Sequence, residues 1–422
     1  MDKLIINGPC KLSGEVLISS SKNATLPILA ATILLDSKTT FKNLPELVDV
    51  KTMLKLLTKL GMTVEKDSNA PLTFVSTEKL TSFEAPYDLV STMRASILVL
   101  GPMLAKYGKS KISLPGGCAI GGRPIDIHLM GLEKMGAKIE FTNGYVMAQG
   151  KLIGTTIPLS FPSVGATENL MMAATLATGT TIIKNAAAEP EIIDLAHFLI
   201  KCGAKISGAG THEITICGVT SLKGCEYEVI GDRIEAATYL IAGIMTNSEI
   251  TIKNINPDYL EGVIAILKQM NANIEVDQQK FEIRTKVRDK GELRGVTIET
   301  APYPGFPTDV QAQLMALATI AKSPSIITEH IFENRYMHVP ELMRLGAKIT
   351  LKGSTAVIEG SSQLKGAFCM CTDLRASAAL VLAALVAEGE SHIQRIYHLD
   401  RGYEKLEQKL KKLNAKIERV KA

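Results

Sequence analysis

The sequence predicts a mixed α/β protein of two domains, each built from three copies of one unit of about seventy residues. Three observations carry this. At 422 residues the chain is too long for one ordinary core. A short marker recurs six times, as "LGMTVE", "MGAKIE", "CGAKIS", "MNANIE", "LGAKIT" and "LNAKIE", with Gly61, Gly136, Gly203, Asn271, Gly346 and Asn414 at the same place in each. Six Ala-rich, nearly uncharged stretches keep step with the markers, at 24–35, 89–105, 166–178, 233–246, 309–321 and 373–388.

Each unit reads in one order. The Ala-rich stretch predicts a helix that is apolar all round and so buried all round. A β-branched run follows, such as "GTTIIKNA", and predicts a strand. Next comes an amphipathic helix such as "EIIDLAHFLIKCG", ended by the marker Gly or Asn as a left-handed stop. The marker opens a hairpin whose second arm carries an L-x-G signature, as at Leu152–Gly154, Leu222–Gly224, Leu293–Gly295 and Leu364–Gly366. The sixth unit ends at "NAKIERVKA" without its hairpin, while the N-terminus holds a spare one, "LIINGPCKLSGEVLIS". The phase of the repeats therefore predicts one domain over 22–231 and another made of 1–21 and 232–422.

Composition narrows the function. A net charge of +4, with Lys and Arg scattered along the chain, gives nucleic acid no electrostatic footing. No run long and apolar enough for a membrane span is visible, which predicts a cytoplasmic protein without a membrane partner. Seven cysteines, an odd number without CxxC spacing, argue against a disulfide framework or structural metal, and the seven histidines form no ligand cluster. Units that close on themselves predict a monomer.

The starts of the Ala-rich helices hold the informative polar residues. Three parallel helices per domain would aim their positive N-terminal ends at one place, which suits an anion. Yet cations stand at four of the six starts: Lys22 (with Asn23), Arg94, Arg233 and Arg375. They oppose the helix dipole, which points to a bound anion or to ion pairs with Asp232, Asp309 and Asp373. Ser163 and Asp373 also suit simple capping. Arg335 in "FENRYMH" and Arg401 in "HLDRGYE" add two cations in polar loops. The stretch "PGGCAIGGRPID" sets Cys118 in a glycine-rich loop five residues before Arg123, a setting that favours a reactive thiolate.

The segments "SKNATLPI", "APYDLVSTMRAS", "LPGGCAIGGRPIDIH", "SVGAT", "FPTDVQAQ", "FENRYMHVPEL", "TDLRAS" and "HLDRGYE", in this order along the whole chain, closely resemble the enolpyruvyl transferases that act on UDP-N-acetylglucosamine. The resemblance implies an inside-out α/β barrel in two domains of threefold repetition, with the active site in the interdomain cleft. It implies transfer of enolpyruvate from phosphoenolpyruvate to the sugar 3-hydroxyl with release of phosphate, the first committed step of peptidoglycan synthesis. It implies no cofactor and no metal. Cys118 matches the lid cysteine, a proton donor or a covalent way-station, and the residue that the epoxide fosfomycin modifies. Asp309 matches the general base, or the group that orients the sugar hydroxyl. Lys22, Arg123 and Arg401 match the cations around phosphoenolpyruvate, and Lys22 and Arg401 are expected to serve the chemistry as well. Asn23, Arg335, Asp373 and Arg375 match the network around them. Arg94, Arg123, Pro124, Ile125, Asp126, Ile127, Ser163, Val164, Asp309 and Ile331 match the nucleotide-sugar site, to which Phe161 is added.

Two positions depart from the pattern. Phe161 and Val48 stand where some members carry lysine, which weakens the nucleotide side of the assignment more than the phosphoenolpyruvate side. Three rival readings are a transferase acting on shikimate 3-phosphate, a non-catalytic paralogue that binds nucleotide sugar, and an RNA-end-processing protein built on related repeats. The "PGGC" loop, the retained acid, base and cations, and the near-neutral charge argue against them in turn.

Overall fold

Short strands alternate with helices, and in the computed structural model the described residues gather into six four-stranded sheets. The structure describes residues 2–67, 70–76, 80–114, 125–288 and 292–421. The described residues divide into two compact units, one within 20–230 and the other made of 2–19 and 231–421. Each unit holds three of the sheets.

Every sheet follows one plan. A strand entered from an inner helix pairs antiparallel with the second arm of a hairpin and parallel with a short edge strand. That edge strand comes from the preceding repeat. In the 20–230 unit, strands Glu84–Ala85 and Thr156–Pro158 are handed forward to the second and third sheets. The third repeat hands Glu226–Glu228 back to Thr39–Lys42 of the first sheet, and the ring closes. In the other unit Ser13–Leu17 closes the ring on Glu249–Lys253.

The N-terminal segment differs from the expected hairpin. Asp2–Gly8 and Ser13–Leu17 lie in different sheets. Asp2–Gly8 pairs on one side with Ile417–Lys421 and on the other with Gly389–Gln394, so the hairpin of the sixth repeat is made from both chain ends. The turn at Gly8 is forced by close packing, because a Cβ there would stand 2.2 Å from the Ala387 carbonyl oxygen.

All six marker residues take positive φ, between 66° and 109°, as a left-handed helix stop requires. The L-x-G signature lies after the hairpin rather than in its second arm. Its leucine is buried and its glycine passes under a neighbouring strand: a Cβ on Gly154 would lie 2.4 Å from the Thr180 carbonyl oxygen, and one on Gly224 2.1 Å from that of Lys38. Only a residue without a side chain lets the backbone cross so closely.

The inner helices of the second unit are Arg233–Met245, Thr308–Thr319 and Leu374–Val386, and they pack against one another. Every residue of Arg233–Met245 is buried. Each buried leucine or isoleucine contributes roughly 1.5–3 kcal/mol by leaving water, while the alanines let the axes approach. In the first unit the inner helices are Lys22–Ala31, continued by a 3₁₀ turn at Thr32–Leu34, and Val164–Ala174, with a broken third. The helix expected at 89–105 appears as Tyr87–Val90, a 3₁₀ stretch Arg94–Val99, and Leu100–Tyr107. The Asn169 side chain offers a reason: its Oδ1 accepts the Gly101 N–H at 2.7 Å and its Nδ2 donates to the Ile97 carbonyl at 3.3 Å, taking up backbone groups at the junction.

Candidate functional site

In the second unit the inner-helix starts converge. Gln313, one turn into Thr308–Thr319, donates through Nε2 to Thr238 Oγ1 at 3.2 Å and to the Tyr403 hydroxyl at 3.1 Å. Thr238 belongs to Arg233–Met245, so this buried knot pins two helices to the segment that carries Arg401. Asp232 caps its helix by accepting from the N–H groups of Ile234 and Glu235. Asp373 caps Leu374–Val386 by accepting from Arg375 and Ala376 N–H at 2.9 and 3.0 Å. Thr308–Thr319 has no side-chain cap, and its first turn carries Asp309 instead.

Asp309 is the hinge of the electrostatics. Arg335 Nη2 meets its Oδ1 at 2.7 Å and Arg375 Nη2 meets its Oδ2 at 2.8 Å. Both arginine side chains are 3% exposed, against 27% for Asp309, so the carboxylate faces outward over two buried cations. Burial alone would make Arg375 easier to deprotonate, but Asp309, then Tyr403 and Asp232, raise its pKa above the ordinary value. The Arg375 guanidinium also lies over the Tyr403 ring, and that of Arg335 over Phe332. The Asp309 carboxylate thus shares its two oxygens between two buried guanidinium groups.

Neighbouring groups complete this site. His338 is fully buried between Asp373 and Arg335, and burial pulls its pKa down to about 4, so it is neutral at pH 7. Arg401 ends the 3₁₀ segment Ile396–Arg401. Gly402 behind it rests on Leu374, where a Cβ would be 2.7 Å from Cδ2, which sets Arg401 beside a helix start. Ile331 lies in a loop organised by the Glu329 carboxylate. Its Oε1 accepts from Ile331 and Phe332 N–H and from the Thr300 hydroxyl, and its Oε2 accepts from the Thr308 hydroxyl.

In the 20–230 unit, Ser21 caps the first inner helix and Lys22 opens it. Lys22 Nζ lies 3.5 Å from Asp49 Oδ2, both largely buried, with Asn23 beside it half-buried. Arg94 opens the 3₁₀ segment Arg94–Val99. His128 lies under the start of Val164–Ala174, since a Cβ on Gly165 would be 3.4 Å from its Cε1. Asn169 Nδ2, already donating to Ile97, meets His128 Nδ1 at 3.0 Å, which makes Nδ1 the acceptor and leaves the proton on Nε2. Burial, then the nearby Arg94 charge, lowers the His128 pKa to about 3. Ser163 caps the Val164 helix as its Oγ accepts from Ala166 N–H. Ile125 is buried, Asp126 exposed and Ile127 half-buried at the start of Asp126–Lys134. Phe161 and Val48 are exposed, by 43% and 45%, and so are available to a ligand rather than to a core. Cys118, Arg123 and Pro124 lie outside the described residues.

The structure thus joins Asp309, Arg335, Asp373 and Arg375 in one cluster, and sets Arg94 by the capped start of the Ser163 helix. Sequence reasoning missed Asp49, His128 and Glu329. A signal existed for Asp49: it is a charged residue on the buried face of the amphipathic helix Val48–Leu60. His128 and Glu329 gave none, because their importance is set by partners far along the chain. Among the described residues no group of three or more potential metal ligands occurs, and no helix is long and apolar enough to cross a membrane.

Comparison with known proteins places this architecture. Residues 6–410 match the family described as EPSP synthase (3-phosphoshikimate 1-carboxyvinyltransferase). The UDP-N-acetylglucosamine 1-carboxyvinyltransferases of Thermodesulfovibrio yellowstonii and Shewanella sediminis are 54% and 53% identical to it, with all of each chain covered. Among solved structures, the enolpyruvyl transferase NikO from Streptomyces tendae superposes with a TM-score of 0.90 at 25% identity, covering 100% of this chain and 99% of its own. EPSP synthase from Acinetobacter baumannii shares the fold, with a TM-score of 0.77 at 18% identity and both chains fully covered. On a match spanning nearly all of its length, and relatives more than half identical from end to end, the chain belongs to the enolpyruvyl transferase family, beside the UDP-N-acetylglucosamine 1-carboxyvinyltransferases.

Proposed function

We propose that the protein transfers the enolpyruvyl group of phosphoenolpyruvate to the 3-hydroxyl of UDP-N-acetylglucosamine and releases phosphate, opening peptidoglycan synthesis. The observation that carries this reading is the contrast in likeness. Relatives named for UDP-N-acetylglucosamine are 50–54% identical over the full chain, whereas the EPSP synthase structures are 18% identical.

The residues support a definite division of labour. Asp309 accepts the proton of the sugar hydroxyl, or orients that hydroxyl, as its oxygen attacks C2 of phosphoenolpyruvate. Cys118 donates a proton to the methylene carbon or holds the three-carbon unit covalently. The tetrahedral adduct then loses a proton from the methyl group and expels phosphate. Lys22, Arg123 and Arg401 neutralise phosphate and carboxylate, with Asn23, Arg335, Asp373 and Arg375 around them. Arg94, Arg123 to Ile127, Ser163, Val164 and Ile331 take the nucleotide sugar, and Phe161 offers a ring where a lysine would offer charge. Arginine suits such sites because its planar fork pairs with oxyanions through two hydrogen bonds. As anionic substrate arrives, Arg335 and Arg375 turn from Asp309 to it and free the base. The protein acts in the cytoplasm, as a monomer, without metal or organic cofactor.

The test is phosphate release. With phosphoenolpyruvate and UDP-N-acetylglucosamine the protein should release phosphate, and with shikimate 3-phosphate in place of the nucleotide sugar it should not. Release with shikimate 3-phosphate alone overturns the reading.

A further inference from the structure

Cys202 and Cys225 are not among the residues assigned above, and their sulfurs lie 3.7 Å apart. Both thiols are free. Their backbones are fixed near one another. Cys202 ends the helix Pro190–Lys201, and its carbonyl accepts the Lys223 N–H at 2.9 Å. Cys225 opens onto the edge strand Glu226–Glu228, and its carbonyl accepts the Thr40 N–H at 3.0 Å. A disulfide needs the sulfurs at about 2.05 Å, so the two side chains must close in from 3.7 Å.

We propose that Cys202 and Cys225 form a redox-modification site that closes to an intramolecular disulfide when the protein meets a peroxide. The two thiols are unequal in the way such a pair requires. Cys202 is buried, 3% exposed, while Cys225 is half-buried and reachable. The Lys201 ammonium lies over the Tyr227 ring, two residues from Cys225. The contact between the two sulfurs, together with the Lys201 charge, lowers the Cys225 pKa, and the same contact and burial raise that of Cys202. Being the accessible member of the pair, Cys225 is the attacking thiolate and the buried Cys202 the resolving thiol.

The step balances. The Cys225 thiolate attacks one peroxide oxygen; an S–O bond forms, the O–O bond breaks, and the leaving hydroxide takes a proton to become water. Cys202 gives up its proton and attacks the sulfenic sulfur; the S–S bond forms, the S–O bond breaks, and a second water leaves. Two thiols are oxidised by two electrons, and the peroxide is reduced to two waters. The bond would tie the helix end at Cys202 to the strand that closes the ring of sheets in this unit.

The full-length, reduced protein is treated with hydrogen peroxide, digested without reductant and mapped by mass. The expected product is a linked peptide pair holding Cys202 and Cys225, lighter by two hydrogens and separated by dithiothreitol. In Cys202→Ser, Cys225 should instead persist as a sulfenic acid, with several-fold more dimedone adduct than in the parent protein. Recovery of Cys202 and Cys225 unlinked, under peroxide that oxidises the exposed Cys217, overturns the proposal. Equal dimedone labelling of Cys225 in parent and variant overturns it as well.

Discussion

Arg335 grips Asp309 from beneath, Nη2 to Oδ1 at 2.7 Å, and Arg375 takes the other oxygen at 2.8 Å. In the proposed role as proton acceptor, Asp309 would have a substrate anion competing for these two cations, and turnover should be sensitive to either arginine.

Arg335→Gln removes one of the two cations, making the carboxylate easier to protonate. The acid limb of kcat/KM should move to higher pH, and kcat/KM at pH 7 should fall by about 10²–10³, the scale of losing one pre-set charge partner at a reacting centre. Arg335→Lys should recover part of both effects. A pH–rate profile checks this, and an acid limb that stays in place in Arg335→Gln would separate Arg335 from the base.

His128 makes stability depend on pH in a calculable direction. Its folded pKa of about 3 lies below the ordinary 6.5. The fold keeps the ring neutral while the unfolded chain protonates it, so the contribution is complete above pH 6.5 and is lost as pH falls toward 3. That loss is on the order of 5 kcal/mol. Urea unfolding from pH 7 to pH 4 should show a steep decline that flattens in His128→Asn, whose amide oxygen can still accept from Asn169.

Much of the fold could be read from the sequence, and the limits have physical causes. The marker residues Gly61 to Asn414 declared themselves because a left-handed helix stop admits few residue types, and the all-apolar inner helices because burial on every side demands it. The exchange of Ser13–Leu17 and Glu226–Glu228 between repeats was hidden, since parallel edge pairing leaves no local signature. The break at Arg94–Val99 was hidden because Asn169, far along the chain, competes for the backbone. In the site, charges at helix starts stood out as violations of dipole preference, but the grip of Arg335 and Arg375 on Asp309 is a matter of tertiary distance.

Gly224→Ala should destabilise the 20–230 unit. A methyl group there would stand 2.1 Å from the Lys38 carbonyl oxygen, with further backbone atoms within 2.5 Å. Backbone cannot yield as a side-chain tip can, so a cost of about 1–3 kcal/mol or more is expected. The urea midpoint reads this, and an unchanged midpoint would show that the crossing is looser than described.

Cys118 should be the thiol that fosfomycin modifies. A phosphonate drawn to Lys22, Arg123 and Arg401 would place its epoxide by that thiol. Cys10, Cys202, Cys369 and Cys371 are buried and should be spared. Burial pushes the Cys369 and Cys371 thiols up to about 12, which leaves almost no thiolate to react. Peptide mapping should find one adduct, lost in Cys118→Ser together with most turnover; an adduct mainly at another cysteine would remove Cys118 from the site.

The most direct test of the central claim is the structure of the product. The protein is incubated with phosphoenolpyruvate and UDP-N-acetylglucosamine, and the nucleotide sugar is recovered for NMR. The account predicts two vinyl protons and a long-range correlation from the sugar C3 proton to the enol carbon, with one phosphate released per sugar converted. Recovery of unchanged UDP-N-acetylglucosamine by protein that converts shikimate 3-phosphate, or attachment at any other hydroxyl, would contradict it.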